Sequence, residues 1–167
     1  MAAILIRCLI IMMTCVTVSS PDEAGTAAGL RFDRDASPHI TAKLSPSGHL
    51  LVRPLVNGRD VGWFIFDTGS SQHIITPDAA DEADLEPGSR RVNRSLSGSV
   101  KARTWRGRVL RLGPALFSDP AFTETDLDEF SKRVGADLAG ILGYELLEET
   151  VAVIDYTACK LSLHAPE

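Results

Sequence analysis

Two β-rich apolar runs that meet at Asn57-Gly58 limit what this chain can fold into more than any other feature. His49 to Val56 reads HLLVRPLV and Val61 to Phe66 reads VGWFIF. The first is apolar with valines at 52 and 56, the second is dense in β-branched and aromatic residues, and Asn-Gly between such runs is the strongest short signal for a tight hairpin, because both residues tolerate a positive φ. The second run stops at Asp67-Thr68-Gly69-Ser70-Ser71, so the hairpin delivers a carboxylate to the end of a buried strand. A chain of 167 residues, 44% hydrophobic and 23% charged, is large enough for one domain with its own core and too short for two independent catalytic ones. Lysine plus arginine number 17 against 22 acids, a net charge of −5. That balance offers no positive field to recruit nucleic acid or an anionic membrane surface.

Beyond the hairpin, Ile74 and Ile75 suggest a short strand. Pro77 and Asp78 then open a short helix to about Ala83, since proline and an acid suit a first helical turn. Glu86 to Gly107 is polar and basic, with Ser97-Gly98-Ser99 at its middle, and reads as an exposed hairpin or loop; the arginines from Arg90 to Arg111 form a solvated face. Trp105 to Leu112 alternates apolar and basic residues like a single half-buried strand. Asp119 to Asp137 collects Glu124, Asp126, Asp128 and Glu129 and is expected to be a solvated loop with one helical turn. Leu138 to Gly143 follows, then a helix from Tyr144 to Glu149, a strand from Val151 to Ile154, a turn at Asp155-Tyr156-Thr157 and a strand from Lys160 to His164.

Met1 to Ser20 has a different composition. Ala2 to Ser20 carries one charge, Arg7, inside an apolar run, and the stretch from Cys8 to Val18 suits the hydrophobic region of an export signal. Pro21 disfavours a cut after Ser20, leaving Ser19 and Ala27 or Ala28 open. The segment is either removed or kept as an anchor. The expected location is that of an exported protein, periplasmic or secreted, with membrane attachment only through an uncleaved N-terminal segment. Residues 21–48 read as a lead-in without sustained periodicity, ending in an edge strand around His39 to Leu44, and residues 49–165 as the domain. Cys8 and Cys15 fall in the signal, so Cys159 stands alone, expected as a small buried hydrophobe.

Three features taken together carry a family resemblance. An apolar strand ends in Phe64-Ile65-Phe66, Asp67-Thr68-Gly69-Ser70 follows it, and Ile141-Leu142-Gly143 leads much later into a helix and a strand pair. From about Leu50 to Leu163 the chain resembles the retropepsin-like, single-domain aspartic proteases, in their bacterial exported form. The resemblance implies an all-β fold, a closed retropepsin-like β-barrel or sandwich with one or two short helices, acting as a homodimer. It implies an aspartic endopeptidase that uses no cofactor and no metal. Its partners would be a second copy of the chain and a peptide or protein substrate, with no nucleic acid.

The same resemblance assigns roles. Asp67 would be catalytic, one from each subunit, because two adjacent carboxylates cannot both ionise cheaply and so share a proton. Gly69 would let backbone amides approach the carboxylate, Thr68 would bond across to the partner chain, and Ser70 would reach the outer carboxylate oxygen. Ile141, Leu142 and Gly143 would support the loop from below. By position, a flap hairpin falls near Arg94 to Arg103, more polar than is usual for the family. Asp155 lacks a following Thr-Gly and reads as a turn residue. Ser70 and Ser71 lack the Gly-x-Ser-x-Gly context of a serine nucleophile. His39, His49, His73 and His164 lack metal-ligand spacing and read as surface or satisfied histidines. The competing reading keeps the fold but not the activity: a non-catalytic peptide-binding or dimerisation module.

Overall fold

A computed structural model describes residues 29–95 and 98–166. The signal segment Met1 to Ser20, the start of the lead-in at 21–28, and Leu96 and Ser97 lie outside the described residues. The rest of the lead-in is part of the folded unit. The strand β1 (Gly29–Phe32) pairs with the later strand at Ala115–Ser118. The strand β2 (His39–Leu44) lies between Lys160–His164 and Leu50–Val52, so it is interior to its sheet and not at an edge. Its alternation is real though short: Ile40, Ala42 and Leu44 turn inward while His39, Thr41 and Lys43 stay exposed.

The expected hairpin forms, but it is bent. It divides into β3 (Leu50–Val52), β4 (Leu55–Val56), β5 (Arg59–Asp60) and β6 (Trp63–Phe66). Pro54 has no amide to continue a ladder, and Gly62 at φ 121° turns the returning strand. The outer half of the hairpin therefore joins one sheet and the base another. Asn57 and Gly58 take φ of 51° and 82°, as a two-residue hairpin turn requires. The Asn57 side chain locks the turn to its surroundings. Its Nδ2 donates to the carbonyls of Ala83 and Asp84, and its Oδ1 accepts from the amides of Arg108 and Val109.

After β7 (His73–Ile75) comes α1 (Pro77–Glu82), where the Thr76 hydroxyl caps the Ala79 amide and Ala79 and Ala80 face inward. The polar stretch is a long hairpin, β8 (Glu86–Ser95) against β9 (Gly98–Arg106). Trp105 to Leu112 is not one strand. It breaks at Gly107, where a Cβ would press on Pro120, Leu85 and Asn57, and the chain resumes as β10 (Val109–Leu112) and β11 (Ala115–Ser118) in the other sheet. The acid-rich stretch is not all solvated loop either. Its start is β12 (Ala121–Glu124), with Phe122 and Thr123 buried between β7 and β9, followed by α2 (Asp128–Val134), which ends at Gly135 with φ 73°. The chain closes with β13 (Leu138–Leu142), α3 (Tyr144–Leu147), β14 (Val151–Asp155) and β15 (Lys160–His164).

These elements make a five-stranded sheet, β1-β11-β10-β4-β5, and a ten-stranded sheet, β14-β15-β2-β3-β6-β13-β7-β12-β9-β8. Among the described residues the architecture is mostly β, with three short helices where one or two were expected. The main core includes Val52, Phe64, Phe66, Leu110, Leu112, Phe122, Leu142 and Leu161. A second cluster under α2 joins Leu51, Ile65, Leu127, Val134, Leu138 and Ile141. With apolar residues on both faces, β13 and the Phe64–Phe66 part of β6 are buried, as neighbouring parallel strands usually are, and Trp63 at the start of β6 is half-buried.

Candidate active site

That buried parallel pair brings the two sequence motifs together. Ile65 and Phe66 lie in register with Ile141 and Leu142, so the strands end side by side with Asp67 next to Gly143. Asp67 N–H donates to the Leu142 carbonyl at 3.0 Å, and Tyr144 N–H donates to the Ser70 carbonyl at 2.7 Å. The approach demands glycine at 143. A Cβ there would lie 2.7 Å from the Gln72 carbonyl carbon and 2.8 Å from the Ser70 oxygen, all of it backbone that cannot swing aside. Ile141 and Leu142 are core residues beneath the loop.

Asp67 is half-buried, while Thr68 and Gly69 are exposed. Its Oδ1 accepts the Gly69 amide at 2.8 Å, and a Cβ on Gly69 would stand 3.2 Å from that oxygen. Glycine thus keeps the amide edge open to the carboxylate, and a charge-assisted bond of this kind fixes its orientation. Ser70 behaves differently from its expected role: its hydroxyl donates to the Gln72 carbonyl at 2.7 Å, which tightens the loop. Asp67 opens onto a cavity of about 240 Å³ whose lining includes His49, Leu50, Phe130, Ile154 and Tyr156. Among the described residues lining it, Asp67 is the only carboxylate. Asp155 is the last residue of β14 and not part of the turn itself, its Oδ1 accepting the Ala158 amide of the turn that follows. A larger cavity, about 440 Å³ beside Arg31, Asn57 and Arg108, touches none of the loop residues.

A family model for aspartyl proteases matches residues 52–146, a span that holds both Asp67-Thr68-Gly69 and Ile141-Leu142-Gly143. The chain belongs to the aspartyl proteases. Among solved structures, a retropepsin-like aspartic protease from Rickettsia conorii is similar to it, with a TM-score of 0.55 and 20% identity over 81% of this chain and 93% of that one. The fold of this aspartyl protease is thus retropepsin-like. No curated protein matches it.

Within this family member one site residue escaped the sequence reading. His73 is fully buried, its ring against Phe117 and Phe122, and its Nδ1 accepts the Gly143 amide at 3.0 Å. Accepting there places the proton of the neutral ring on Nε2, which has no hydrogen-bond partner among the described residues. Burial pulls the imidazole down from 6.5 to about 4, since the charged form loses its hydration. The signal was present in the strand: His73 and Ile75 share the inward face of β7 at a spacing of two. Of the other histidines, His39 and His164 are exposed and His49 half-buried. No cluster of three or more potential metal ligands occurs among the described residues. Cys159 is not a buried hydrophobe. It sits partly exposed in the β14–β15 turn at φ 50°.

Proposed function

We propose that this chain is an aspartic endopeptidase that hydrolyses peptide bonds as a homodimer, with one Asp67 from each copy. The observation that carries the reading is the solitary carboxylate. Asp67 is anchored by Gly69 at a cavity that no other acid among the described residues lines, whereas the chemistry requires two carboxylates that share one proton. A symmetric partner supplies the second across a two-fold axis.

With one Asp67 ionised and the other protonated, the charged carboxylate takes a proton from a bound water as the water oxygen attacks the scissile carbonyl carbon. The protonated carboxyl donates to the carbonyl oxygen, which becomes a hydroxyl. Collapse of the tetrahedral intermediate breaks the C–N bond: the proton held by the base passes to the departing nitrogen, and one hydroxyl of the intermediate returns its proton to the other carboxylate, which leaves a carboxylic acid and restores the singly protonated pair. No covalent enzyme intermediate forms. The chain end beside the site supports a partner. β14 is an edge strand with Val151 and Val153 exposed, and Tyr156, which lines the Asp67 cavity, is also exposed. An apolar unpaired edge invites pairing with another strand. Substrate would lie extended in the cleft, and the β8–β9 hairpin, which carries the expected flap segment Arg94 to Arg103, would close over it. Export follows from Met1 to Ser20 and is part of the same proposal; N-terminal sequencing of the protein recovered from each cell fraction tests it.

The function is tested by incubating the purified protein, and its Asp67→Asn variant, with a mixed peptide library at several enzyme concentrations from acid to neutral pH. Cleavage that rises faster than linearly with enzyme and disappears in Asp67→Asn is expected. A folded dimer that binds peptides yet cuts none at any pH would instead establish the non-catalytic module.

A further inference from the structure

One peptide unit joins the buried histidine to the catalytic loop. The Leu142–Gly143 peptide gives its N–H to His73 Nδ1 at 3.0 Å and receives the Asp67 amide on its carbonyl at 3.0 Å. Because the unit is planar and rigid, turning either end turns the other. We propose that His73 is a positioning residue for Asp67: its neutral ring holds the Leu142–Gly143 peptide in the orientation that seats the Asp67 backbone, and protonation of that ring releases it. The proposal rests on the endopeptidase reading of Asp67.

The chemistry of the contact sets the consequence. A neutral imidazole offers one acceptor, and here it is Nδ1; an imidazolium offers none, so its Nδ1–H would confront the Gly143 N–H, donor against donor. The peptide must then rotate or leave a buried amide unpaired, and either outcome loosens the carbonyl that receives Asp67 N–H. Few charges oppose this. Glu145 at the start of α3 approaches Nε2 at 3.9 Å but is partly exposed, so solvent weakens its pull on a proton. From β11 and β12 the ring meets Phe117 and Phe122. Glu124, also on β12, is engaged by the Trp105 indole and by Arg103. β13 contributes only apolar residues and glycine. Burial therefore decides the protonation state, and the ring stays neutral until the medium is distinctly acid. The expected result is an acid limit on activity set by His73, on top of the titration of the Asp67 pair itself.

Two variants of the full chain test this. In His73→Asn the side-chain oxygen stands near the place of Nδ1 and keeps an acceptor that does not titrate in this range; in His73→Leu the volume is similar and the acceptor is gone. For His73→Leu, kcat should fall by about tenfold or more with KM little changed, since misplacing a reacting group by a fraction of an ångström costs rate and not affinity. For His73→Asn, kcat should be largely restored, and the acid limb of its pH profile should move to lower pH. A folded His73→Leu variant with wild-type kcat, or a His73→Asn variant whose acid limb stays in place, overturns the proposal. Should His73→Leu fail to fold, His73→Asn alone decides. Hydrogen exchange at the Gly143 amide is read in parallel and needs no activity. Protection in the wild type and His73→Asn that is lost in His73→Leu, or in the wild type at low pH, supports the latch. Equal exchange in all three overturns it, even if the wild type cuts no peptide and the endopeptidase reading fails separately.

Discussion

Gly143→Ala tests the geometry of the site most sharply, because the added methyl has nowhere to go. Its carbon would meet the Gln72 carbonyl carbon at 2.7 Å and the Ser70 oxygen at 2.8 Å, and relief requires moving the backbone of the Asp67 loop away from β13. Forcing a methyl into packed surroundings costs about 1–3 kcal/mol. The same displacement lengthens the Gly143 N–H contact to His73 and leaves a buried amide unpaired, at about 1–3 kcal/mol more. Alanine stiffens the unfolded chain, which returns about 0.4–1 kcal/mol, and at φ −98° the residue suffers no conformational penalty. The net loss is about 3 kcal/mol, or a fall in Tm of about 6–12 °C for a domain of this size. Gly48→Ala is the control: Gly48 has φ 84° but nothing within 4 Å of an added Cβ, so only the left-handed backbone resists, at about 1–2 kcal/mol. Urea denaturation of both variants at neutral pH measures the difference. If Gly143→Ala proves no less stable than Gly48→Ala, the loop and β13 do not approach as closely as described, and the reasoning about Gly143 is wrong.

Stability should also depend on pH through His73. Its folded value of about 4 lies below the ordinary 6.5, so the unfolded chain takes up the proton first; the contribution is complete above pH 6.5 and is lost as pH falls through about 4. At about 1.4 kcal/mol per pH unit this amounts to about 3 kcal/mol, measured as the change in unfolding free energy of the wild type minus that of His73→Asn across the window. Asn57→Ala should cost about 3 kcal/mol, from a left-handed φ and four side-chain hydrogen bonds. Asn57→Gly should recover only the backbone share, about 1 kcal/mol, in the same denaturation assay. Thr76→Ala removes a cap bond of 3.4 Å at the start of α1 and should cost about 0.5–1 kcal/mol, at the low end for an N-cap.

What could be read in the sequence was local, and what could not was held by distant partners. Asn57-Gly58 specifies its turn through its own backbone preferences, and Phe64-Ile65-Phe66 before Asp67 needs no neighbour to be read as a buried strand. The bends at Pro54 and Gly62 were written in residues known to interrupt ladders, yet only the second sheet shows why the hairpin divides there. β12 was hidden because Ala121-Phe122-Thr123 is a short apolar island among acids. Its strand character comes from β7 and β9 on either side, and Glu124 is held by the Trp105 indole. Residues 29–44 looked like a lead-in for a similar reason: their pairing partners are β3, β11 and β15, the last two far along the chain.

The site divides along the same line. Asp67, Thr68 and Gly69 form a contiguous signature, and the carboxylate's own clamp, Gly69 N–H to Oδ1, closes within two residues. The support beneath it spans 70 residues, from His73 to Gly143. That support cannot appear as a motif, because neither residue is unusual alone: a histidine in a strand and a glycine before a helix acquire meaning only when β7 and β13 pair. A sequence scan that asks which polar residue shares the inward face of a buried strand would single out His73, since a wholly buried imidazole needs a partner for its acceptor nitrogen. The Gly143 amide is that partner, and through the carbonyl of the same peptide it reaches Asp67. The chemistry is thus local in sequence while its rigidity is not, so substitutions outside the Asp67-Thr68-Gly69 signature, at 73 and at the distant 143, should alter the reaction as surely as those within it.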